Sequence, residues 1–181
     1  MTQMTVNTPF GDFAMLDQNN HLIVACPADH RITYDHLFND ASEIPSATLL
    51  QAEKELQEYF AGDRLHFDVP LGIYLDDWNM GTPFEKRAWA TLMKIGFGRT
   101  ISYKEQALWM GHPKAIRAVG RANGKNPLSI FVPCHRVIGT NGSLTGYGGG
   151  IDMKAFLLKH EAAIVDSPRV KSSEHHFAVL K

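Results

Sequence analysis

Apolar and polar positions change period near residue 80, and each period predicts its own kind of element. Before that point short apolar runs (residues 4–8, 13–16 and 22–25) are separated by the turn-forming runs PFGD and DQNN. Short apolar runs bounded by Gly, Asn and Asp are the pattern of strands joined by tight turns, so this segment predicts a small antiparallel meander. Between Ser46 and Phe60 the residues Leu49, Leu56, Tyr59 and Phe60 fall at helical spacing, and Gly62 stands as a stop. Residues 65–69 predict one more strand before the linker-like run DDWNMG.

After Gly81 the period becomes helical. Thr82 and Glu85 form a capping box, Pro83 takes the first helical position, and Phe84, Ala88, Leu92 and Ile95 make one apolar stripe that Gly96 ends. Trp89 on this helix is expected in the core. Ser102 with Glu105 opens a second, short helix through Met110, stopped by Gly111, and Pro113 starts a third over residues 114–123. Two short helices across a tight Gly-containing turn predict a helix-turn-helix. On the third helix Ala115, Val119 and Ala122 share one face, while Lys114, Arg117 and Arg121 project from another beside the small Ala118 and Gly120. The fold class is therefore mixed α/β (α+β): an N-terminal α/β part over residues 1–80 with antiparallel strands, and a mainly helical part over residues 81–165.

Charge sharpens this division. The 181-residue chain has a formal charge of −1, but residues 1–80 carry three basic and thirteen acidic side chains, and residues 81–181 carry fifteen basic and six acidic. Such asymmetry points to a basic half that meets a polyanion. The apolar content of 44% suffices for a core and excludes disorder as the dominant state. The longest apolar runs fall far short of the ~20 residues of a membrane span, and the N-terminus lacks the pattern of a secretory signal, so a cytoplasmic location is expected. Cys26 and Cys134 are read as reduced thiols rather than a disulfide, and no zinc spacing is present.

The segment NPLSIFVPCHRVIG, residues 126–139, carries the candidate chemistry. Residues 128–132 predict a buried strand, Pro133 stops its ladder, and Cys134 stands at its end, followed at once by His135. By itself a buried cysteine is usually a small hydrophobe. Here a Gly-rich loop, GTNGSLTGYGGG, and a final helix over residues 152–161 follow, and that helix returns Glu161. A thiolate needs a base or electropositive neighbours, and a His135 held by Glu161 supplies one, directly or through a water.

In order, GTPFEKRAWATL, ISYKEQA, PKAIRAVGRANGKNP, IFVPCHRVIG, GYGGG and LLKHE span residues 81–161. With these motifs the chain resembles the O6-alkylguanine-DNA alkyltransferases, the methylated-DNA–protein-cysteine methyltransferase family. Over residues 1–80 the resemblance is limited to the opening strands, for which it implies a ribonuclease-H-like domain. It implies irreversible, stoichiometric transfer of an alkyl group from O6-alkylguanine in double-stranded DNA to Cys134, with O4-alkylthymine as a further candidate substrate. Under it His135 acts as base through water, Glu161 orients the imidazole, and Asn126 holds the loop. Tyr103 lies near the flipped nucleotide and supplies a proton toward guanine N3. Arg117 enters the stack as a finger, and Lys114, Ala118, Arg121, Asn123 and Arg136 join it and Tyr103 as DNA contacts. Backbone carbonyls of Cys134 and Val137 read the guanine amino group, and Tyr147, Gly148 and Gly149 wall the pocket. No cofactor and no metal are implied, and the expected state is a monomer with residues 1–80 facing away from the DNA.

There are departures from the family pattern. Gly96-Phe97 replaces a Pro-aromatic pair, and Gly148 replaces a residue that in some members has a hydroxyl for O6. A four-cysteine regulatory domain is not represented, since Cys26 alone precedes the motif. The alternatives are an alkyltransferase-like damage-binding protein, against which Cys134 argues; a helix-turn-helix regulator, which leaves the PCHR tetrapeptide unexplained; and a Cys-His hydrolase, for which no oxyanion-hole signature is evident. The polar residues 166–181 read as a tail.

Overall fold

The computed structural model describes residues 1–75 and 77–165. The tail expected at 166–181 lies outside the described residues. Strands β1 (Thr2–Thr8), β2 (Gly11–Gln18) and β3 (His21–Pro27) form the expected antiparallel meander, with Met4 opposite Met15 and Leu16 opposite Val24. The strands extend a residue or more beyond each apolar run because backbone pairing continues into the turns. A 3₁₀ segment, Ala28–Tyr34, and one helical turn, α1 (Asp35–Phe38), lead to α2 (Ala47–Ala61).

Helix α2 starts where Ser46 Oγ accepts the Leu49 N–H and donates to Asp17 Oδ2, which ties the helix start to β2. It ends on Gly62 at φ 82°, a left-handed conformation that costs a residue without Cβ little. Leu49, Ala52, Leu56 and Tyr59 are buried against the sheet. The strand expected at 65–69 does not form. Instead Glu55, almost fully buried, accepts the N–H groups of Asp68 and Val69 at 2.8 and 3.2 Å, and Arg64 bridges Glu58 and Asp68. A carboxylate has taken the donors that a partner strand would have needed.

Helix α3 (Pro83–Leu92) carries the expected capping box, Thr82 with Glu85, but ends at Leu92; Ile95 is buried from the turn that follows. Strand β4 (Ile101–Ser102) leads directly into α4 (Tyr103–Trp109), whose capping box pairs Ser102 and Glu105. Helix α5 (Ile116–Gly124) begins two residues later than expected, because Pro113 to Ala115 complete the turn off α4: His112 N bonds Ala107 O, and Ala115 N bonds His112 O. A reciprocal amide pair, Gln106 with Asn123 at 2.7 and 3.1 Å, clamps α4 to α5. Strand β5 (Val137–Ile138) runs parallel to β4, and α6 (Gly150–Val165) closes the described chain.

One hydrophobic core runs through both halves. It joins Leu16, Val24 and Leu56 to Trp89, Leu92, Phe131 and Leu157. An isolated parallel bridge from Ala25 to Leu128, with Ser129 N bonded to Ala25 O at 2.8 Å, brings the edge of the meander to the segment that carries Cys134.

Candidate functional site

Residues 128–132 are buried as expected, but they form a turn rather than a strand. After the single bridge at Leu128 the chain doubles back: Val132 N bonds Leu128 O at 2.8 Å, and Ile130 sits at φ 72°. Positive φ is costly for a β-branched residue and persists only where the surroundings enforce it. Pro133, at φ −83° and ψ 61°, makes an inverse γ-turn that bonds Cys134 N to Val132 O and starts a 3₁₀ turn over Cys134–Arg136. A short buried apolar run has no period by which to separate a strand from a packed turn.

Asn126 stands in for the missing partner strand. Its Oδ1 accepts the Leu128 N–H at 3.1 Å, and its Nδ2 donates to Val132 O at 2.8 Å and to Cys134 Sγ at 3.1 Å. The expected loop-holding residue therefore also touches the sulfur.

His135 is fully buried, and its Nε2 lies 2.8 Å from Glu161 Oε1. With Glu161 ionised, Nε2 carries the proton and Nδ1 is the basic nitrogen; Nδ1 has no hydrogen-bond partner among the described residues. Burial by itself raises the Glu161 carboxyl, but hydrogen bonds and charge from His135 and Arg136 overcome it and bring the carboxyl down to about 2. Burial lowers the His135 imidazole against the pull of Glu161, which favours a neutral, proton-accepting ring near neutral pH and leaves it charged only at lower pH.

Arg136 corrects an expectation. It is buried rather than turned to DNA: its guanidinium bonds both oxygens of Glu161 and, through Nη1, Ile95 O at 2.7 Å. Such a charge is held by its carboxylate and is not available to phosphate. Tyr59, from α2, adds a hydroxyl hydrogen bond to Glu161 Oε1 at 3.0 Å, and Gly98 N donates to Oε2 at 2.9 Å.

Burial pushes the Cys134 thiol up, while Asn126 and the nearby Lys154 charge pull it down. The resting thiol thus depends on a base for deprotonation. Lys154 was not singled out from the sequence. It is fully buried, and its ammonium donates to Val137 O at 2.6 Å, Thr145 O at 2.9 Å and Tyr103 Oη at 3.3 Å. A signal did exist: Lys154, Leu157 and Glu161 lie at i, i+3 and i+7 on α6, so a lysine occupied the inward stripe. Tyr103, half-buried, donates to Thr145 O at 2.8 Å, and burial raises its phenol. The Val137 carbonyl expected to face a base already accepts Lys154.

On α5 the side chains of Arg117 and Arg121 are exposed, as is Lys114 in the turn before it, while Val119 and Ala122 are buried and Ala118 and Gly120 lie between. The two-faced reading holds for these residues. Asn123 corrects another expectation, because its buried amide is spent on Gln106 and cannot contact DNA. Trp89 is in the core, with Nε1 bonded to Ala122 O.

Tyr147 is buried, and a Cβ at Gly149 would come within 2.5 Å of Met153 Sδ and 3.0 Å of the Tyr147 ring. Gly149 is thus fixed by close packing. Gly148 lies on the wall of a cavity of about 630 Å³, together with Asn126 and Ser129, facing His30 and Tyr34 of the 3₁₀ segment. Cys134 stands behind Asn126 and is not part of that wall.

Comparison with known proteins agrees with this geometry. Residues 83–163 match the model of the 6-O-methylguanine DNA methyltransferase, DNA binding domain. The constitutive methylated-DNA–protein-cysteine methyltransferase of Bacillus subtilis is 39% identical over 159 residues, 87% of this chain and 93% of its own. That of Methanosarcina acetivorans is 50% identical over 113 residues, 62% of this chain and 69% of its own. The structure of Mycobacterium tuberculosis OGT in complex with DNA superposes with a TM-score of 0.79 at 39% identity, covering 91% of this chain and 94% of that one. With full-length similarity at this level, the chain belongs to the methylated-DNA–protein-cysteine methyltransferase family.

Proposed function

We propose that the protein repairs DNA by moving the alkyl group of O6-alkylguanine onto Cys134, once per molecule. The observation that carries this reading is the contact chain from sulfur to carboxylate: Asn126 Nδ2 on Cys134 Sγ, the adjacent His135 with an unpartnered Nδ1, and Glu161 on His135 Nε2. The Cys134 proton passes through a water to His135 Nδ1. Sulfur attacks the alkyl carbon in line, the S–C bond forms as the C–O6 bond breaks, and the electron pair leaves on guanine. Tyr103 gives its proton to guanine N3, and the proton taken from Cys134 restores the phenol.

The target atom is hidden inside a duplex, so the base must be extruded, at a cost of a few kcal/mol. Arg117, exposed on α5, fills the gap in the stack. Lys114 and Arg121 bind phosphates, with affinity that falls as salt rises. Residues 81–165 carry the DNA-binding and acceptor work, and residues 1–80 support it from behind.

The test is mass analysis after incubation with duplex DNA carrying O6-methylguanine. One methyl is expected on the peptide containing Cys134, with guanine restored and no turnover, and Cys134→Ala is expected to bind DNA without reacting. Tight binding by the unaltered protein with an unmodified peptide would favour the damage-binding alternative.

A further inference from the structure

A side chain from the acidic first half of the chain reaches the buried relay. Tyr59 lies near the C-terminal end of α2, is 1% exposed, and donates its hydroxyl hydrogen to Glu161 Oε1 at 3.0 Å. Its ring packs against Phe67, Phe97 and His160, and its carbonyl accepts His160 Nε2–H at 2.8 Å. The end of α2 is thus fastened to α6 both at Glu161 and at the residue before it.

Glu161 Oε1 is crowded. It accepts Tyr59 Oη, His135 Nε2 at 2.8 Å, and Arg136 Nη2 and Nε at 2.9 and 3.2 Å. One carboxylate oxygen has two lone pairs, so four donors from three residues compete for its capacity. Oε2 is likewise occupied, by Arg136 Nε and Gly98 N.

We propose that Tyr59 is a positioning residue of the alkyl-acceptor relay: its hydroxyl holds Glu161 Oε1 in place and limits how strongly that oxygen stabilises a protonated His135. This rests on the reading of His135 as the group that takes the Cys134 proton. The titratable and charged groups facing the pair are Arg136 on the same turn as His135, Lys154 on α6, Tyr147 in the Gly-rich loop, Tyr59 on α2 and the Cys134 thiol itself. Arg136 and Lys154 oppose a positive imidazole, and Glu161 favours it. Removing the Tyr59 donor concentrates the carboxylate's acceptor strength on His135 and shifts the balance toward the imidazolium.

Tyr59→Phe keeps the ring and its packing while deleting the donor. In single-turnover methyl transfer from duplex DNA, the acid limb of the pH–rate profile is expected to move upward by about half a unit to one unit, as loss of one hydrogen bond implies. A merely structural role would lower thermal stability and leave the midpoint where it was. An NMR titration of the His135 ring in both proteins gives the same comparison without DNA. Coincident imidazole titrations in wild type and Tyr59→Phe would overturn the proposal, whereas a shifted titration with no methyl transfer by either protein would uphold it and sink the functional reading instead.

Discussion

Lys154 Nζ lies 3.3 Å from Tyr103 Oη, and both groups donate to the same carbonyl, Thr145 O. The phenol therefore accepts from a buried cation while donating its own hydrogen bond to a carbonyl that the same cation also engages. The same cation lies close enough to Cys134 to pull the thiol down against its burial.

Lys154→Met deletes this charge at similar length and apolar volume. The Cys134 thiol is expected to titrate higher, since loss of a nearby opposite charge disfavours the thiolate. Iodoacetamide reactivity as a function of pH measures this directly. Methyl transfer is expected to slow at least about tenfold, the equivalent of ~1.4 kcal/mol of lost stabilisation. A variant with an unchanged thiol titration would remove Lys154 from the electrostatics of the site.

Arg117, Lys114 and Arg121 share exposure but not role. Lys114→Ala and Arg121→Ala are each expected to reduce the slope of log affinity against log salt by about 0.9 while leaving transfer to bound DNA intact. Arg117→Ala is expected to cost duplex repair far more than reaction with free O6-alkylguanine base, because plugging the stack matters only in a duplex. Equal losses on both substrates would sink the finger assignment. Affinity titrations at several salt concentrations and single-turnover rates separate the three side chains.

Stability is expected to fall as pH falls, with a definite sign. The folded imidazole of His135 is depressed, so the unfolded chain takes its proton first and stability begins to drop below about pH 6.5. Glu161 is brought down to about 2 from its ordinary 4.5. Its contribution is complete above pH 4.5 and is lost as pH falls from there through 2. Denaturant midpoints measured from pH 7 to 3 are expected to decline in both windows. A flat profile would mean that the buried pair ionises as it does in the unfolded chain.

Much of the fold was legible because local chemistry decides it. Thr82 and Ser102 cap helices in the structure as their capping boxes predict, and the turns PFGD and DQNN join the three strands. The misread segments were those whose partners lie elsewhere. At 65–69 a carboxylate one helix away took the backbone donors. At 128–132 the side chain of Asn126 replaced a strand, and Ile130 adopted a φ that no apolar pattern announces.

The candidate site divides the same way. Sequence by itself singled out Cys134, the adjacent His135, Glu161 on the last helix and the basic face of α5, because residue type and spacing place these groups on their elements and the run of motifs supplies the resemblance that gives them candidate roles. Only the tertiary structure decided how the charges pair. Arg136 turned inward to Glu161, Asn123 was spent on Gln106, Lys154 entered the core beside the thiol, and Tyr59 arrived from the other half of the chain. The physical reason is desolvation: a buried polar group must find a partner wherever the fold supplies one. That partner is fixed by three-dimensional proximity, to which a one-dimensional pattern is blind.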